Sequence, residues 1–261
     1  MLLVTGGTGF IGSVLLAELE ATRAPKVAVC DWIDSPHKGR NISKRGNLAS
    51  VVPPERLDDF LERDRRHIEA IFHLASSGTG STEGALPRLW RFAAERGIPL
   101  IFAASAGGVV DGKAPPFWTG LRFRDVYGPN EYHKGDQRSD ALVLYEQIRD
   151  TGRARLHPGS HDYVWVGDCA QAMIWLWREG RQSGLFDCRA GLERPSLDLA
   201  RAVFQEMDKE PVVDWVAAPD AGPCDPWQLP QAAGYTAPFT TLEEGVGRYL
   251  RDYLAAGDPY W

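Results

Sequence analysis

A glycine-rich turn at residues 6–12 constrains the fold of this chain more than any other stretch. It follows the short apolar run Met1–Thr5 directly and leads into a helical pattern that begins at Ser13. Glycines in this order let the backbone turn sharply and approach a pyrophosphate closely, while the N-terminus of the next helix offers free N–H groups to the anion. The residues predicted to hold a dinucleotide here are Gly6, Gly7, Gly9, Phe10, Ile11 and Gly12.

A second apolar run, Val27–Cys30, ends at an acidic residue that strengthens this interpretation. Asp31 follows the turn at the spacing where a carboxylate accepts a hydrogen bond from the adenosine ribose, and Trp32 starts the loop beside it. Lys38 and Arg40 lie in the same loop, where they could neutralise a 2′-phosphate or form a solvated charged pair. NAD and NADP are therefore both compatible with the sequence.

Buried strands and helices alternate along the first part of the chain. Strands are predicted at residues 68–76 and 98–105, separated by a helix at about residues 83–96. This alternation predicts an α/β fold with a Rossmann-type doubly wound parallel sheet. Ligands bind at the C-terminal edge of such sheets, which places Leu74 and Ala75 among the cofactor-binding residues. His73, at the end of the same strand, is predicted to be a wall residue rather than a catalyst.

Composition and charge exclude several classes of function. The 261 residues are 44% hydrophobic, and the formal net charge is −6 with mixed signs along the chain, so no basic stripe offers a surface to nucleic acid or an anionic membrane. No apolar run approaches the length that spans a bilayer. The four cysteines lie far apart without a C-x-x-C pair, which predicts reduced structural thiols and no metal site. These features predict a cytoplasmic protein.

The connection after Ser105 is unusual for a parallel sheet. Residues 106–118 contain two prolines and three glycines and have no helical period, and a strand follows at residues 120–126. A parallel crossover normally needs about a dozen residues and usually contains a helix. Here the length barely suffices and the sequence predicts that the helix is missing.

Several segments carry a resemblance to a known superfamily. They are the opening glycine turn, the strand that ends in His73-Leu74-Ala75, Ser105, and above all residues 122–135. With residues 162–168 and 233–246 they resemble the extended short-chain dehydrogenase/reductase superfamily, which contains the NAD-dependent epimerases and dehydratases. Within it the chain is most similar to the ADP-glycero-manno-heptose 6-epimerases.

The resemblance implies that the chain has two structural parts. Residues 1–126 with 139–168 would form the dinucleotide-binding Rossmann domain, and residues 127–138 and 169–261 mainly a small C-terminal substrate-binding portion. Members oxidise a nucleotide-sugar carbon by hydride transfer to the nicotinamide and reduce the transient ketone on its other face. The resemblance gives Lys134 and Ser105 as candidate catalytic residues, and Tyr127, His133 and Lys134 as candidate substrate-binding residues.

The departures from the family pattern are as informative as the matches. The family places a Tyr-x-x-x-Lys pair on a helix after the serine, but no such pair follows Ser105; the nearest imitation, Tyr145 to Arg149, lies in a later helix. Without that base the ordinary reaction is expected to slow, since a positioned base contributes about 10²–10⁴-fold. The missing helix would also remove half of the four-helix bundle through which members commonly dimerise. A homo-oligomer, if formed, would need another interface.

Two functions from different classes therefore remain open. The first is an atypical NAD(P)-dependent nucleotide-sugar epimerase, dehydratase or reductase that uses Lys134 in acid/base chemistry. The second is a non-catalytic protein that binds a dinucleotide or a nucleotide sugar and regulates or supports an intact paralogue. A lyase or isomerase that uses the cofactor only structurally is a further, weaker option.

Overall fold

A computed structural model describes residues 1–75, 84–104, 112–180, 182–217 and 230–261 of the chain. The helices are α1 (Phe10–Ala21), α2 (Pro36–Ile42), α3 (Leu57–Arg63), α4 (Ala85–Arg96), α5 (Asp140–Thr151), α6 (Val166–Trp175), α7 (Ser196–Glu206) and α8 (Leu242–Arg248). The strands are β1 (Leu2–Thr5), β2 (Val27–Cys30), β3 (Leu48–Val52), β4 (Ala70–His73), β5 (Leu100–Ala103), β6 (Trp118–Phe123), β7 (Val126–Tyr127), β8 (Ala154–Leu156), β9 (Ser160–His161), β10 (Val164–Trp165), β11 (Gly184–Cys188), β12 (Arg194–Pro195) and β13 (Val213–Trp215). None of the helices in these ranges is long and apolar enough to cross a bilayer.

A seven-stranded parallel sheet forms the centre of the molecule. Its strand order is β3-β2-β1-β4-β5-β6-β11, so the direction of winding reverses between β1 and β4. Thr5 is in register with Cys30 on one side and with His73 on the other, which aligns the carboxyl ends of three strands. This confirms the predicted Rossmann-type α/β fold, and the reversal point is where such sheets bind ligands.

Both faces of the sheet are covered, which explains why its strands are apolar without alternation. Leu2 and Val4 face the cluster that contains α1 and α6, whereas Leu3, between them, faces the cluster that contains α3 and α4. All three side chains are fully buried. The opening strand thus anchors two cores and fixes the position of the turn that follows it.

Aromatic side chains cover the sheet where the family helix was predicted to be missing. β5 and β6 pair directly, with Leu100 opposite Trp118. Within the crossover between them, residues 112–117 form no helix and residues 105–111 lie outside the described ranges. The rings of Trp90, Phe102 and Trp118 pack together, with centroids 5.2 Å apart for the two tryptophans and 6.2 Å apart for Trp90 and Phe102. Trp90 on α4 is buried, so this cluster covers part of the face.

A second part of the molecule is built around α5, α7 and α8, which share one apolar cluster. The elements are distributed differently from the predicted ranges. β11 belongs to the central sheet and α6 packs on α1, although residues 169–261 were predicted to form mainly the small portion. Conversely, α5 packs with α7 rather than with the sheet, although residues 139–168 were assigned to the Rossmann domain. We therefore propose that residues 166–188 belong with the sheet and residues 140–151 with the small portion.

Candidate functional site

The glycine turn has the geometry that its sequence predicts. Gly6 has a φ of +73°, and a Cβ built on it would lie 2.5 Å from the backbone nitrogen of Ala75. A Cβ on Gly12 would lie 2.1 Å from the carbonyl oxygen of Gly6. The turn therefore packs so closely against both the loop after β4 and the first turn of α1 that only glycine fits at these two positions.

The first turn of α1 is open toward the ligand side. Gly9 precedes the helix and no described side chain caps it. Among the described residues, nothing accepts a hydrogen bond from the N–H groups of Phe10, Ile11 and Gly12. Free N–H groups at a helix N-terminus, together with the positive end of its dipole, favour an anion. The structure thus provides a cradle of backbone N–H donors for an anion at the reversal point of the sheet.

Asp31 lies beside this cradle and helps to shape it. Its Oδ2 accepts hydrogen bonds from the backbone N–H and the hydroxyl of Thr8 at 2.9 and 2.6 Å, and its Oδ1 accepts from the N–H of Trp32 at 2.8 Å. Lys38 extends from α2 to within 4.0 Å of the same Oδ1. Because a carboxylate accepts about four hydrogen bonds, Asp31 keeps capacity for a ribose hydroxyl. An acidic and a basic group therefore stand together where the adenosine ribose was predicted to bind.

One cavity of about 350 Å³ joins these features. It has the size of small-molecule sites, which begin at about 300 Å³. The predicted residues that line it are Gly6, Gly9, Phe10, Ile11, Gly12, Asp31, Trp32, Lys38, Leu74, Ala75, His133 and Lys134. Gly7 lies beneath the wall, where a Cβ would meet the Val29 side chain at 2.9 Å. The remaining lining residues, Ala103, Phe123 and Gln137, were not predicted as site residues, although the first two lie at the ends of β5 and β6.

Lys134 projects into this cavity from the loop after β7. Its ammonium lies 5.0 Å from the centroid of the Phe10 ring and forms no ion pair with any described carboxylate. Burial lowers the pKa of Lys134, while the nearby Glu131 carboxylate opposes that shift. Burial and the positive charge of Lys38 likewise lower the pKa of His133, the neighbouring residue. Half-buried bases with lowered pKa values are suited to proton transfer.

Two buried side chains hold this loop in place. Glu131 accepts hydrogen bonds from the N–H and hydroxyl of Ser139 at 2.5 and 2.7 Å, and from the hydroxyl of Tyr249 at 3.0 Å. Asn130 donates to the hydroxyl of Ser13 on α1 at 3.0 Å. The loop is thereby tied both to the helix that follows the glycine turn and to the small portion of the molecule.

Two further cavities adjoin the first. A cavity of about 270 Å³ shares Phe10, Phe123 and Lys134 with it, among other residues. A larger one of about 680 Å³ shares Asp140 and Tyr163 with the second cavity and extends between α5, α7 and β8. The three neighbouring cavities together make up a cleft, and Lys134 lines the first two of them.

Tyr127, Ser105 and His73 are the remaining residues of the prediction. Tyr127 borders the second cavity, but it is 1% exposed and its hydroxyl donates to the carbonyl of Leu242 at 3.4 Å. Its role in substrate binding stays a prediction, because the hydroxyl points into the small portion. Ser105 lies outside the described residues. His73 is buried against the Thr5 hydroxyl, 2.5 Å away, and burial lowers its pKa to about 4, in agreement with a wall residue.

The structure describes three of the four cysteines. Cys30, Cys169 and Cys188 are free and buried, and Cys224 lies outside the described ranges. Within those ranges, no group of three His, Cys, Asp or Glu side chains could hold a metal ion.

Comparison with known proteins identifies the family. The model of the NAD dependent epimerase/dehydratase family matches residues 2–106. A protein of Nitratidesulfovibrio vulgaris (strain DP4) named ADP-L-glycero-D-manno-heptose-6-epimerase is 30% identical, and the alignment covers 100% of both chains. The chain belongs to the NAD-dependent epimerase/dehydratase family. That alignment extends over 322 positions, whereas this family member has 261 residues, so at least 61 positions of the relative have no counterpart here.

Solved structures of epimerases and dehydratases share the fold of this family member. ADP-L-glycero-D-manno-heptose-6-epimerase of Helicobacter pylori superimposes with a TM-score of 0.78 at 22% identity, covering 96% of this chain and 95% of that one. dTDP-glucose 4,6-dehydratase of Bacillus anthracis, in complex with NAD, superimposes with a TM-score of 0.73 at 16% identity, covering 97% and 96%. At these identities the similarity shows the shared fold.

Proposed function

We propose that this protein binds NAD or NADP together with a nucleotide sugar and catalyses an epimerase- or dehydratase-type reaction with Lys134 in place of the usual tyrosine. The observation that carries the proposal is the position of Lys134. Its amine lies in the wall shared by the cavity next to the glycine turn and the adjoining cavity toward the small portion. A group there reaches both a cofactor and a sugar.

The chain's residues fit a dinucleotide. The open first turn of α1 would hold the pyrophosphate, since glycines 6, 9 and 12 leave no Cβ in its way. Asp31 would accept a hydrogen bond from the adenosine ribose, and Lys38 stands where it would neutralise a 2′-phosphate. Both groups are present, so the proposal covers NAD and NADP. When bound, the nicotinamide would accept a hydride from a sugar carbon and return it.

Lys134 would move the proton that accompanies this hydride. Because burial lowers its pKa, more of the neutral amine is present at a given pH than for a lysine in water. The neutral amine would take the proton from the sugar hydroxyl, and the ammonium would return it to the oxygen. Ser105 would donate a hydrogen bond to the same oxygen, as the family pattern suggests.

The family's tyrosine and lysine are absent from the expected place in the sequence, and the position of Tyr145 argues against a relocated pair there. No tyrosine lies between Ser105 and Tyr127. Tyr145, on α5, directs its hydroxyl to the carbonyl of Leu254 at 3.5 Å and borders none of the three cavities. We therefore expect turnover about 10²–10⁴-fold slower than with a positioned phenolate.

The nucleotide of the sugar substrate would bind in the largest cavity. That cavity lies at the far end of the cleft from the glycine turn and contains His157, His161 and Arg155 in its wall. In this arrangement the second cavity, of about 270 Å³, would lie between the nucleotide and the reacting carbon of the sugar. The N. vulgaris relative is named for ADP-L-glycero-D-manno-heptose, which makes that compound the first substrate to test.

A second candidate function is non-catalytic binding of the same ligands, as a regulator or as a partner of an intact paralogue. The burial of the Tyr127 hydroxyl favours it, because a tyrosine near the cleft is thereby withdrawn from chemistry. We also propose a cytoplasmic location, which accords with buried, unpaired thiols at Cys30, Cys169 and Cys188. Any homo-oligomer would use an interface other than the family's four-helix bundle, because the sequence lacks one of the two helices that each subunit would supply.

The test is to identify nucleotides that co-purify with the protein and then to assay turnover. Purified protein is incubated with ADP-heptose and other nucleotide sugars in deuterated water, and both products and the absorbance of reduced nicotinamide are followed. Catalysis predicts a new nucleotide sugar, either an epimer that keeps its protium because the hydride returns to the same carbon, or a dehydrated product that carries solvent deuterium. It also predicts that Lys134→Ala removes the activity while the exposed control Lys113→Ala keeps it. Bound cofactor without turnover of any sugar would favour the binding protein.

A further inference from the structure

We infer that Tyr260 is a positioning residue of the dinucleotide cavity and sets the distance between its two side walls. The inference rests on the proposed cofactor site. Residues 258–261 run between α2, which carries Lys38, and the loop that carries His133 and Lys134. Tyr260 contacts both sides through its side chain, and it is only 3% exposed.

On the first side, Tyr260 contacts α2. Its hydroxyl lies 2.5 Å from Nδ1 of His37, the residue before Lys38. The guanidinium of Arg40, one helical turn further on, stacks over the Tyr260 ring at 4.3 Å from its centroid. Asp258 adds ion pairs to Arg40 and Lys44 at 3.2 and 3.1 Å. The short helix that presents Lys38 to the ribose end of the cavity is therefore held from behind by this segment.

On the other side, Tyr260 contacts the loop that carries His133 and Lys134. Its ring meets that of Tyr132 edge-on, with centroids 5.2 Å apart, and the Tyr132 hydroxyl donates to the carbonyl of Pro259 at 2.7 Å. Tyr132 directly precedes His133 and Lys134. The backbone N–H of Trp261 donates to Oδ1 of Asn130 at 2.9 Å, which fixes the start of the same loop.

The two walls face each other across the cofactor cavity. Lys38 on α2 and His133 on the loop both line it, and the charge of Lys38 is near enough to lower the pKa of His133. α2 has only seven residues and would be marginal without such support. Holding both walls before the ligand arrives lowers the entropic cost of binding, which is what a positioning residue contributes.

The test compares three variants of the full chain. Tyr260→Phe removes the hydroxyl but keeps the ring for Arg40 and Tyr132. His37→Ala removes the imidazole, and the double variant closes a thermodynamic cycle. Tyr145→Phe is the matched control, because its half-buried hydroxyl has a 3.5 Å bond and contacts no cavity. Two quantities are measured: hydrogen exchange of residues 36–42 without ligand, and the Kd of NAD and NADP by calorimetry.

The inference predicts faster exchange in residues 36–42 for Tyr260→Phe and a Kd about 2- to 10-fold higher, as expected for one lost hydrogen bond. His37→Ala should add little to Tyr260→Phe in the double variant, and Tyr145→Phe should match the wild type. If the wild type binds and Tyr260→Phe changes neither quantity, the inference alone fails. If the wild type binds neither dinucleotide, the proposed function fails and the inference with it.

Discussion

Replacing Gly6 by alanine perturbs the turn at the point where the structure has least room. The φ of +73° is a left-handed conformation that costs a residue with a Cβ about 1–2 kcal/mol. The new Cβ would also lie 2.5 Å from the Ala75 nitrogen and 2.6 Å from the Leu74 carbonyl carbon. Because both atoms belong to the backbone, relieving the overlap should cost about 1–3 kcal/mol more. Gly6→Ala should therefore destabilise the protein by about 2–5 kcal/mol.

The chain contains a matched control for this experiment. Gly97, at the end of α4, has a similar φ of +65°, but a Cβ there would have no atom within 4 Å. Gly97→Ala should consequently cost only the conformational term of about 1–2 kcal/mol. Equilibrium urea unfolding followed by tryptophan fluorescence measures both, and a dinucleotide titration should show weaker binding for Gly6→Ala alone. Equal stability and equal affinity in the two variants would refute the close approach of the turn to Ala75.

Three other perturbations test separate parts of the structure. Lys38→Ala should weaken binding of NADP more than that of NAD, because only the former has a 2′-phosphate; competitive titration measures the ratio. The pKa of His73 is lowered to about 4 from an ordinary value of 6.5, so unfolded chains bind more protons and stability should fall as the pH drops below 6.5. The loss should reach about 2 kcal/mol at pH 5 by urea unfolding, and His73→Asn should abolish it. Trp90→Ala should cost about 3–5 kcal/mol, since it opens the aromatic cover between β5 and β6.

Local sequence was sufficient to predict the geometry of the turn at residues 6–12. The strand, turn and helix around Gly6 lie within a few residues of one another, and Asp31 follows at the end of the adjacent strand. The glycines themselves determine the backbone geometry of the turn, and that geometry determines which ligand the turn can approach. The hydrogen bond from the backbone N–H of Thr8 to Asp31 was not predicted, because it depends on how two loops pack against each other.

Contacts between residues far apart in the chain could not be predicted from the sequence. The Tyr127 hydroxyl points into the protein because of how α8 packs. Gly245 on α8 leaves room for it, since a Cβ there would lie 2.0 Å from the hydroxyl oxygen. β11 joins the central sheet by pairing in parallel with β6, which no local pattern reveals. The bridge formed by Tyr260 likewise joins residues far apart in sequence.

We propose above all that the turn at residues 6–12 holds a redox dinucleotide beside Lys134. Calorimetric titration of the purified protein with NAD and with NADP is the direct test of this proposal. We expect saturable binding of at least one of them at a single site. Absence of saturable heat with either dinucleotide, in protein shown to be folded, would contradict it.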